Sequence, residues 1–389
     1  MDIKEMANLY KEEIVNWRRE FHEHPELTWQ EVRTGNRVAE EMRKMGIEVQ
    51  RMSKTGVVGI LQGSKPGKTV ALRADMDALP IIEKTEVPYK SKNEGTMHAC
   101  GHDGHIAMLL GAAKILSSIK NQLSGSVKFI FQPAEEGGLG ALRMREEGVL
   151  QEVSAILGIH LWAGLPTGMV SLEPGPRMAS ADKFKITVTG QSGHGSMPHQ
   201  GVDALIAAGS ILMDLQSIVS REISPLEPAV VSIGTLNGGA GWNIICNEVT
   251  MEGTTRAFNP DVRRQLLKSI ERIIKNTASS YRAQAQLDVT PITPPTINHA
   301  LISGMFADVV EKLYGQDVIV KMEKVMGGED FAYLSESVPG IMAFLGVRND
   351  EKGLNYPHHH EKFDIDENAL PIGASLYAQF AFDYLFDNS

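Results

Sequence analysis

The chain has 389 residues, of which 42% are hydrophobic and 22% charged, a composition typical of globular proteins large enough for two domains. The formal net charge of −10 argues against nucleic acid and anionic membranes as partners. Two cysteines are too few for a disulfide framework, the N-terminal residues carry no apolar leader, and no apolar run approaches the roughly 18 residues of a membrane span. We therefore expect a cytoplasmic protein.

Predicted helices alternate with short apolar strands in the first half of the chain. Apolar residues three or four apart predict a helix over 3–22. A capping box from Thr28 to Glu31 predicts that a second helix begins at residue 29 and continues to 45. Strands are predicted at 57–61, 68–73, 126–131 and 155–161, and a buried helix at 104–119. Helices between strands indicate a sheet with parallel strands and covered faces.

Polar side chains follow the ends of these predicted strands. Asp75 and Asp77 follow the second, Glu135 and Glu136 follow the third, and His160 lies near the end of the fourth. Open α/β sheets bind ligands just outside the carboxyl ends of their strands. Solvated turn acids and a core histidine are the structural alternatives, but the shared placement favours one common site.

The stretch 97–105, MHACGHDGH, places three histidines, one cysteine and one aspartate between the second strand and the buried helix. Cys100 and His102 are two residues apart, so they would diverge on a helix and can converge only in a strand or an open turn. Asp103 is then the predicted N-cap of the helix. Thiolate and imidazole together suit zinc and related ions. The structural alternative is a core cysteine beside histidines at a helix start.

From residue 181 the pattern changes to β-α-β-β-α-β, which is typical of a ferredoxin-like antiparallel sheet with two helices on one face. Its predicted helices are 202–222 and 261–282, and its later strands are 229–236, 246–258 and 285–289. A glycine-flanked His194, a flexible loop ending in Asn243, and Arg256 on a strand are its candidate functional residues. A surface turn and a surface charge remain the alternatives for His194 and Arg256.

After the proline-rich stretch 291–295 the α/β pattern resumes. A helix is predicted at 305–313 and a buried strand at 341–347. Three consecutive histidines at 358–360 then precede Phe363. They are either metal ligands or part of a solvated loop.

Four ordered motifs resemble the M20 metallopeptidase family, in its aminoacylase and amidohydrolase branch. They are HACGHD at 98–103, QPAEE at 132–136, GHGSMPH at 193–199 and HH at 358–359. The branch includes hippurate hydrolases, N-acyl-amino-acid deacylases and indole-acetyl-amino-acid hydrolases. The resemblance covers essentially the whole chain.

This resemblance implies a two-domain α/β protein. Residues 1–180 and 294–389 would form a zinc-peptidase-like catalytic domain with a mixed sheet. Residues 181–293 would form an inserted ferredoxin-like α+β domain that serves as lid and dimerisation domain. Many relatives dimerise through this inserted domain, so a homodimer is expected.

The resemblance also implies a ligand set for two divalent metal ions, zinc or manganese, with cobalt or nickel as further candidates. Cys100 would bridge the two ions. His102 and Glu136 would complete one site, and His160 and His359 the other. His359 is chosen among the three histidines because relatives place the ligand four residues before the phenylalanine.

Catalytic roles are implied in the same way. Glu135 would be the general base. Asp77 matches an aspartate that supports a metal ligand without binding the ion itself. His194 and Asn243 match residues of the inserted domain that contact the substrate during reaction, and Arg256 matches the arginine that holds the substrate carboxylate.

The implied activity is that of a dinuclear metal-dependent amidohydrolase acting on a small molecule. It would cleave an N-acyl-L-amino acid, of the N-acetyl or hippurate type, to a carboxylate and a free amino acid. The alternative within the family is a metallo-dipeptidase or carboxypeptidase. A non-catalytic binding protein would need a missing base or ligand, and every matching position is filled. A serine hydrolase is disfavoured because the chain has no G-x-S-x-G motif.

Overall fold

The computed structural model describes residues 2–137 and 139–387, which divide into two units. Unit 1 is built from the chain up to Gly175, from Ile297–Glu323 and from Asp330 onward. Unit 2 is built from Pro176–Thr296 together with the short segment Lys324–Glu329.

Helices and strands appear in the predicted order, and most are longer than predicted. The helices are α1 (Ile3–Leu9), α2 (Lys11–Glu23), α3 (Val32–Lys44), α4 (His102–Ser118), α5 (Gly140–Glu146), α6 (Ala204–Asp214), α7 (Pro260–Ser280), α8 (Ala300–Tyr314), α9 (Ala332–Ser335) and α10 (Ala369–Asp387). The strands are β1 (Glu48–Met52), β2 (Gly56–Gln62), β3 (Lys65–Asp75), β4 (Ser124–Gln132), β5 (Val153–Pro166), β6 (Val170–Ser171), β7 (Gly175–Met178), β8 (Ser180–Thr189), β9 (Gly193–His194), β10 (Ala229–Gly238), β11 (Ile244–Ile245), β12 (Glu248–Ala257), β13 (Gln284–Thr293), β14 (Thr296–Asn298) and β15 (Gly340–Arg348).

Seven strands of unit 1 form one mixed sheet in the order β1-β2-β4-β3-β5-β15-β6. Four consecutive strands, β4, β3, β5 and β15, are parallel, whereas β1, β2 and β6 are antiparallel to their neighbours. The parallel strands direct their carboxyl ends to the same edge. The predicted α/β class with a mixed sheet is confirmed, and this edge carries Asp75 and Gln132 as the last residues of β3 and β4.

Helix α4 packs within the core of unit 1 and is buried along most of its length. A helix that is apolar on all sides requires such complete cover. Gly104 allows α4 to approach β5 closely, because a Cβ at this position would lie 2.4 Å from Leu161 Cδ1. This approach places the start of α4, with His102, beside the part of β5 that carries His160.

Two predicted helix starts are wrong, because their side chains have tertiary partners instead. The Thr28 hydroxyl donates to Asp77 Oδ2 at 2.8 Å, and α3 begins at Val32. Asp103 lies inside the first turn of α4, whose N-cap is Gly101. The predicted N-terminal helix is also two helices, since α1 ends before Tyr10 and α2 follows it.

In unit 2, four antiparallel strands form a sheet in the order β10-β12-β8-β13. Helices α6 and α7 share an apolar core with alternate residues of these strands, such as Phe184 and Ile186. This is the predicted ferredoxin-like arrangement. The predicted helix 202–222 ends in a π-helical turn, Ile218–Glu222.

One segment of the described chain, Ala204–Glu222, is long and apolar enough to cross a membrane when judged by length and composition alone. This corrects the expectation that no apolar run approaches that length. In the structure 33% of an 18-residue stretch of this segment is buried within the protein.

Candidate metal centre

The loop before α4 turns sharply between two of the predicted ligands. Gly101 separates Cys100 from His102 and has a φ of 88°, a left-handed conformation that glycine adopts without steric cost. The carbonyl of Ala99 accepts the backbone N–H of His359 at 2.8 Å. This bond brings the C-terminal histidine loop to the same turn.

All five side chains predicted as metal ligands lie in unit 1 and converge at the carboxyl edge of its sheet. Cys100 Sγ is 3.7 Å from His160 Nε2. Glu136 Oε1 is 3.4 Å from His359 Nε2 and 3.9 Å from His102 Nε2. These separations are short enough for the side chains to share bound ions.

The ligand atoms form two overlapping groups, each with its atoms within 4.8 Å of one another. One group is Cys100, His102 and His160, and the other is Cys100, Glu136 and His359. Cys100 is common to both, which suits a bridging thiolate. His102 and Glu136 also lie within this distance of each other, in a third group with Glu135, so the implied division of the ligands between two sites stays a prediction.

The chemistry of these side chains fits bound cations. Within the described residues, His102 Nε2 and Glu136 Oε1 are buried and have no hydrogen-bond partner. An unpaired buried polar atom costs about 1–3 kcal/mol. Burial, together with the carboxylates of Glu136, Glu135 and Asp75, also raises the pKa of the Cys100 thiol well above its usual value. A cation would offset both penalties.

Two histidines are oriented by hydrogen bonds on the side away from the centre. His102 Nδ1 donates to the carbonyl oxygen of Asp77 at 2.8 Å, and His160 Nδ1 donates to that of Leu161 at 2.7 Å. A carbonyl can only accept, so in each neutral ring Nε2 keeps its lone pair. Metal-ligating histidines usually have such a second bond.

Asp77 holds the two adjacent glutamates. Its Oδ1 accepts the backbone N–H of Glu135 at 2.9 Å, and its Oδ2 accepts that of Glu136 at 3.0 Å. Glu136 belongs to one of the two Cys100 groups. Glu135 also has a carboxylate oxygen within 4.8 Å of ligand atoms of His102 and Glu136, without belonging to either group. The two side chains can therefore have different tasks.

A buried ion network beside the centre was missed by the sequence reasoning. Arg73 donates to Asp75 Oδ2 at 2.8 Å, to Gln132 Oε1 at 2.8 Å and to Asp330 Oδ1 at 3.1 Å. His105 Nδ1 lies 2.6 Å from Asp75 Oδ1. Asp75 is therefore satisfied by protein groups. The available signal was a charged Arg73 within an otherwise apolar strand.

His194 and Asn243 lie together in unit 2. His194 on β9 pairs with Ile244 on β11, and the Asn243 carbonyl accepts the N–H of Gly195 at 2.8 Å. The His194 side chain is exposed. Its Nδ1 accepts the backbone N–H of Ser196 at 3.1 Å, so the proton of the neutral ring is on Nε2. His194 therefore presents an N–H donor to solvent.

Arg256 on β12 is partly buried, and within the described part of the chain its hydrogen-bond partners are neutral groups. Its Nη1 donates to the Thr254 hydroxyl and to the Thr255 carbonyl, the latter at 2.9 Å. Burial lowers the pKa of Arg256. The nearby Asp182 carboxylate is paired instead with Arg263 at 2.5 Å. Arg256 is thus suited to bind an incoming anion.

Comparisons with known proteins agree with this geometry. The sequence matches the model of peptidase family M20/M25/M40 over residues 71–383. Thermostable carboxypeptidase 1 of Saccharolobus solfataricus is 42% identical over 390 residues, covering 98% of each chain. N-acetylcysteine deacetylase of Bacillus subtilis is 40% identical over 370 residues, 95% of this chain and 96% of that protein.

A solved structure is also similar over the whole chain. The crystal structure of the Bacillus subtilis YXEP protein, a dinuclear metal binding peptidase from the M20 family, has a TM-score of 0.86 at 36% identity and covers 98% of this chain and 100% of its own. The family resemblance seen in the sequence is thereby confirmed. This chain belongs to peptidase family M20/M25/M40.

Proposed function

We propose that this protein is a dinuclear metal-dependent amidohydrolase that cleaves N-acyl-L-amino acids to a carboxylate and a free amino acid. The observation that carries the proposal is the pair of ligand groups that share Cys100, with Glu135 beside them. Family membership and the deacetylase relative support a hydrolase that acts on C–N bonds.

Two divalent ions, when bound, supply Lewis-acid polarisation of the scissile carbonyl and lower the pKa of water. Zinc and manganese are the proposed ions, and Cys100 would hold both. The Glu135 carboxylate accepts a proton from the attacking water and delivers it to the leaving nitrogen. The Nε2–H of His194, with Asn243 beside it, donates to the developing oxyanion.

A metallo-dipeptidase or carboxypeptidase is the second candidate, favoured by the carboxypeptidase relative at 42% identity. The two candidates differ in whether the acyl side of the substrate carries a free amino group. A metal-replete sample assayed on N-acetyl-amino acids, hippurate and dipeptides, with metal content measured on the same sample, separates them. We expect N-acyl substrates to be preferred. Hydrolysis of dipeptides alone would favour the second candidate.

Arg256 is proposed to bind the substrate carboxylate, because a planar guanidinium can bind a carboxylate through two hydrogen bonds. Arg256→Lys should raise KM for N-acyl-amino acids by about 10–100-fold, the loss expected for a hydrogen bond to a charged group. Arg256→Ala should also lower kcat. Michaelis–Menten analysis of both variants measures these effects.

The matched control is Arg263→Lys, because Arg263 is already paired with Asp182 within unit 2. Amidation of the substrate carboxylate should reduce wild-type kcat/KM strongly and that of Arg256→Ala only slightly. If the wild type hydrolysed the free acid and its amide equally well, this role of Arg256 would have to be abandoned.

We also propose a homodimer formed through unit 2. Helix α6 exposes Leu205, Ile206 and Met213, with exposed fractions of 44%, 55% and 70%. Strand β10 is an edge of the four-stranded sheet. An exposed sheet edge can pair with another chain, and a contiguous exposed apolar patch can mark an interaction site. A second copy of the chain offers the same surface.

The double variant Ile206→Glu/Met213→Glu should then shift the protein from dimer to monomer, because it places charges in an apolar interface. Light scattering coupled to size-exclusion chromatography measures the mass. The control is Leu9→Glu, since Leu9 is an apolar residue of unit 1 that is 64% exposed. A monomeric wild type would contradict the proposal.

The proposed location is the cytoplasm, and the proposed partner is a small molecule instead of nucleic acid or a membrane. Both cysteines, Cys100 and Cys246, are free thiols, as is usual in a reducing compartment. The net charge of −10 supports a partner other than a polyanion.

A further inference from the structure

Arg18 of α2 is a fully buried cation that joins two segments carrying proposed metal ligands. Its Nε donates to Asp103 Oδ2 at 2.8 Å, and Asp103 directly follows His102 in α4. Its Nη2 donates to Asp364 Oδ1 at 2.6 Å, and Asp364 lies in the loop that follows His359. One guanidinium therefore connects both segments.

The three nitrogens of the planar guanidinium form a fork that faces three carboxylates. The third nitrogen, Nη1, lies 3.3 Å from Glu367 Oε1, so each nitrogen faces a different carboxylate. Tyr89 and His22 also belong to the surroundings. The Tyr89 hydroxyl donates to Asp364 Oδ2 at 3.0 Å, and its ring centroid is 4.9 Å from the guanidinium carbon. His22 Nδ1 lies 2.7 Å from Asp103 Oδ2. A lysine ammonium, as a compact point charge, cannot reproduce three directed bonds in one plane.

This cluster is closed to solvent. The side chains of Arg18 and Asp103 are 0% exposed, and that of Asp364 is 6% exposed. Water cannot easily replace a lost contact there, so loss of the guanidinium would remove a buried charged partner from Asp364 and from Asp103, which retains His22. The guanidinium consequently fixes the spacing between the two ligand-bearing segments together with the Ala99–His359 backbone bond.

We propose that Arg18 is a positioning residue for the metal centre, which keeps the His359 loop in register with the turn that carries Cys100. The inference rests on the proposed metal-binding function. The group of Cys100, Glu136 and His359 takes ligands from both joined segments, whereas the group of Cys100, His102 and His160 does not include the loop. Loss of the fork should therefore weaken one ion more than the other.

Arg18→Lys tests the proposal, because it keeps the positive charge and removes the fork. Metal-free protein is titrated with Co²⁺ or Zn²⁺ in competition with a chelator, which gives the affinity for each ion. Urea unfolding of each variant shows whether it still folds. We expect Arg18→Lys to bind one ion with near wild-type affinity and the other about 10–100-fold more weakly. This is the usual loss in metal affinity when a residue that supports the ligands without binding the ion is changed.

The matched control is Arg19→Lys. Arg19 is the next residue of the same helix, its side chain is 44% exposed, and it pairs with Glu367 at 2.6 Å. Within the described residues it makes no hydrogen bond to Asp103 or Asp364. This variant should bind both ions as the wild type does.

The outcomes separate the inference from the function on which it rests. The positioning role would be overturned if Arg18→Lys bound both ions with wild-type affinity, or if its affinity for both ions fell equally. A wild type that binds fewer than two ions would instead contradict the proposed function. If Arg18→Lys does not fold, Tyr89→Phe serves in its place, because it removes one hydrogen bond to Asp364. It should weaken the same single ion a few-fold, and no difference between the ions would overturn the inference.

Discussion

Cys100→Ala should release both metal ions and abolish amide hydrolysis, because its sulfur is common to both groups of ligand atoms. The remaining ligands would keep two incomplete sites with no bridge between them. Metal content after exposure to a chelator that leaves the wild type loaded, and turnover of an N-acyl-amino acid on the same sample, measure the effect.

The protein contains a matched control for this substitution. Cys246 is also a free cysteine, 6% exposed, and its Sγ donates to the Glu248 carbonyl at 3.0 Å within unit 2. Cys246→Ala removes a small packed side chain, so it should retain both ions and nearly full activity. Equal tolerance of the two substitutions would be incompatible with a bridging role for Cys100.

Glu135→Gln should keep both metal ions and lower kcat by about 10²–10⁴-fold, the usual contribution of general acid–base catalysis. The amide has nearly the same shape as the carboxylate, and the backbone N–H of Glu135 would still donate to Asp77. Only the ability to accept a proton is lost. Steady-state kinetics and metal analysis of the purified variant test both parts of the prediction.

Glu136→Gln is the comparison variant, because it should lose metal binding where Glu135→Gln loses turnover. Glu136 Oε1 is a buried atom without a hydrogen-bond partner among the described residues and lies near His359 and His102. Its replacement should therefore weaken metal binding first, and activity should return in part when the metal concentration is raised. If Glu135→Gln emptied the site while Glu136→Gln kept its ions, the two roles would be reversed.

Residue types and their spacing, together with the family resemblance, were enough to predict which side chains approach the centre. Parallel strands end at one edge of a sheet, so acids after β3 and β4 must lie near each other wherever the strands pair. Helix periodicity located α2, α4 and α7 for the same kind of reason, since a 3.6-residue repeat is a property of the local chain. The motifs around Cys100 and His359 then indicated the family.

Helix starts were predicted less well, because a capping side chain has competing partners. Thr28 bonds Asp77, and Asp103 bonds Arg18 within the core. Neither contact is visible from neighbouring residues. Likewise, only the structure shows that Lys324–Glu329 joins unit 2, because this depends on packing between segments distant in the chain.

The sequence by itself determined the α/β and ferredoxin-like patterns, which follow from periodicity, and its motifs carry the family resemblance that implied the candidate ligands. The tertiary structure decided how closely the ligands approach one another. His102 lies within 4.8 Å of both His160 and Glu136, and Glu136 also of His359, because distances across strands and loops depend on sheet register and helix approach. It also revealed Arg18, whose three carboxylate partners lie far from it in the chain and meet only in the folded core.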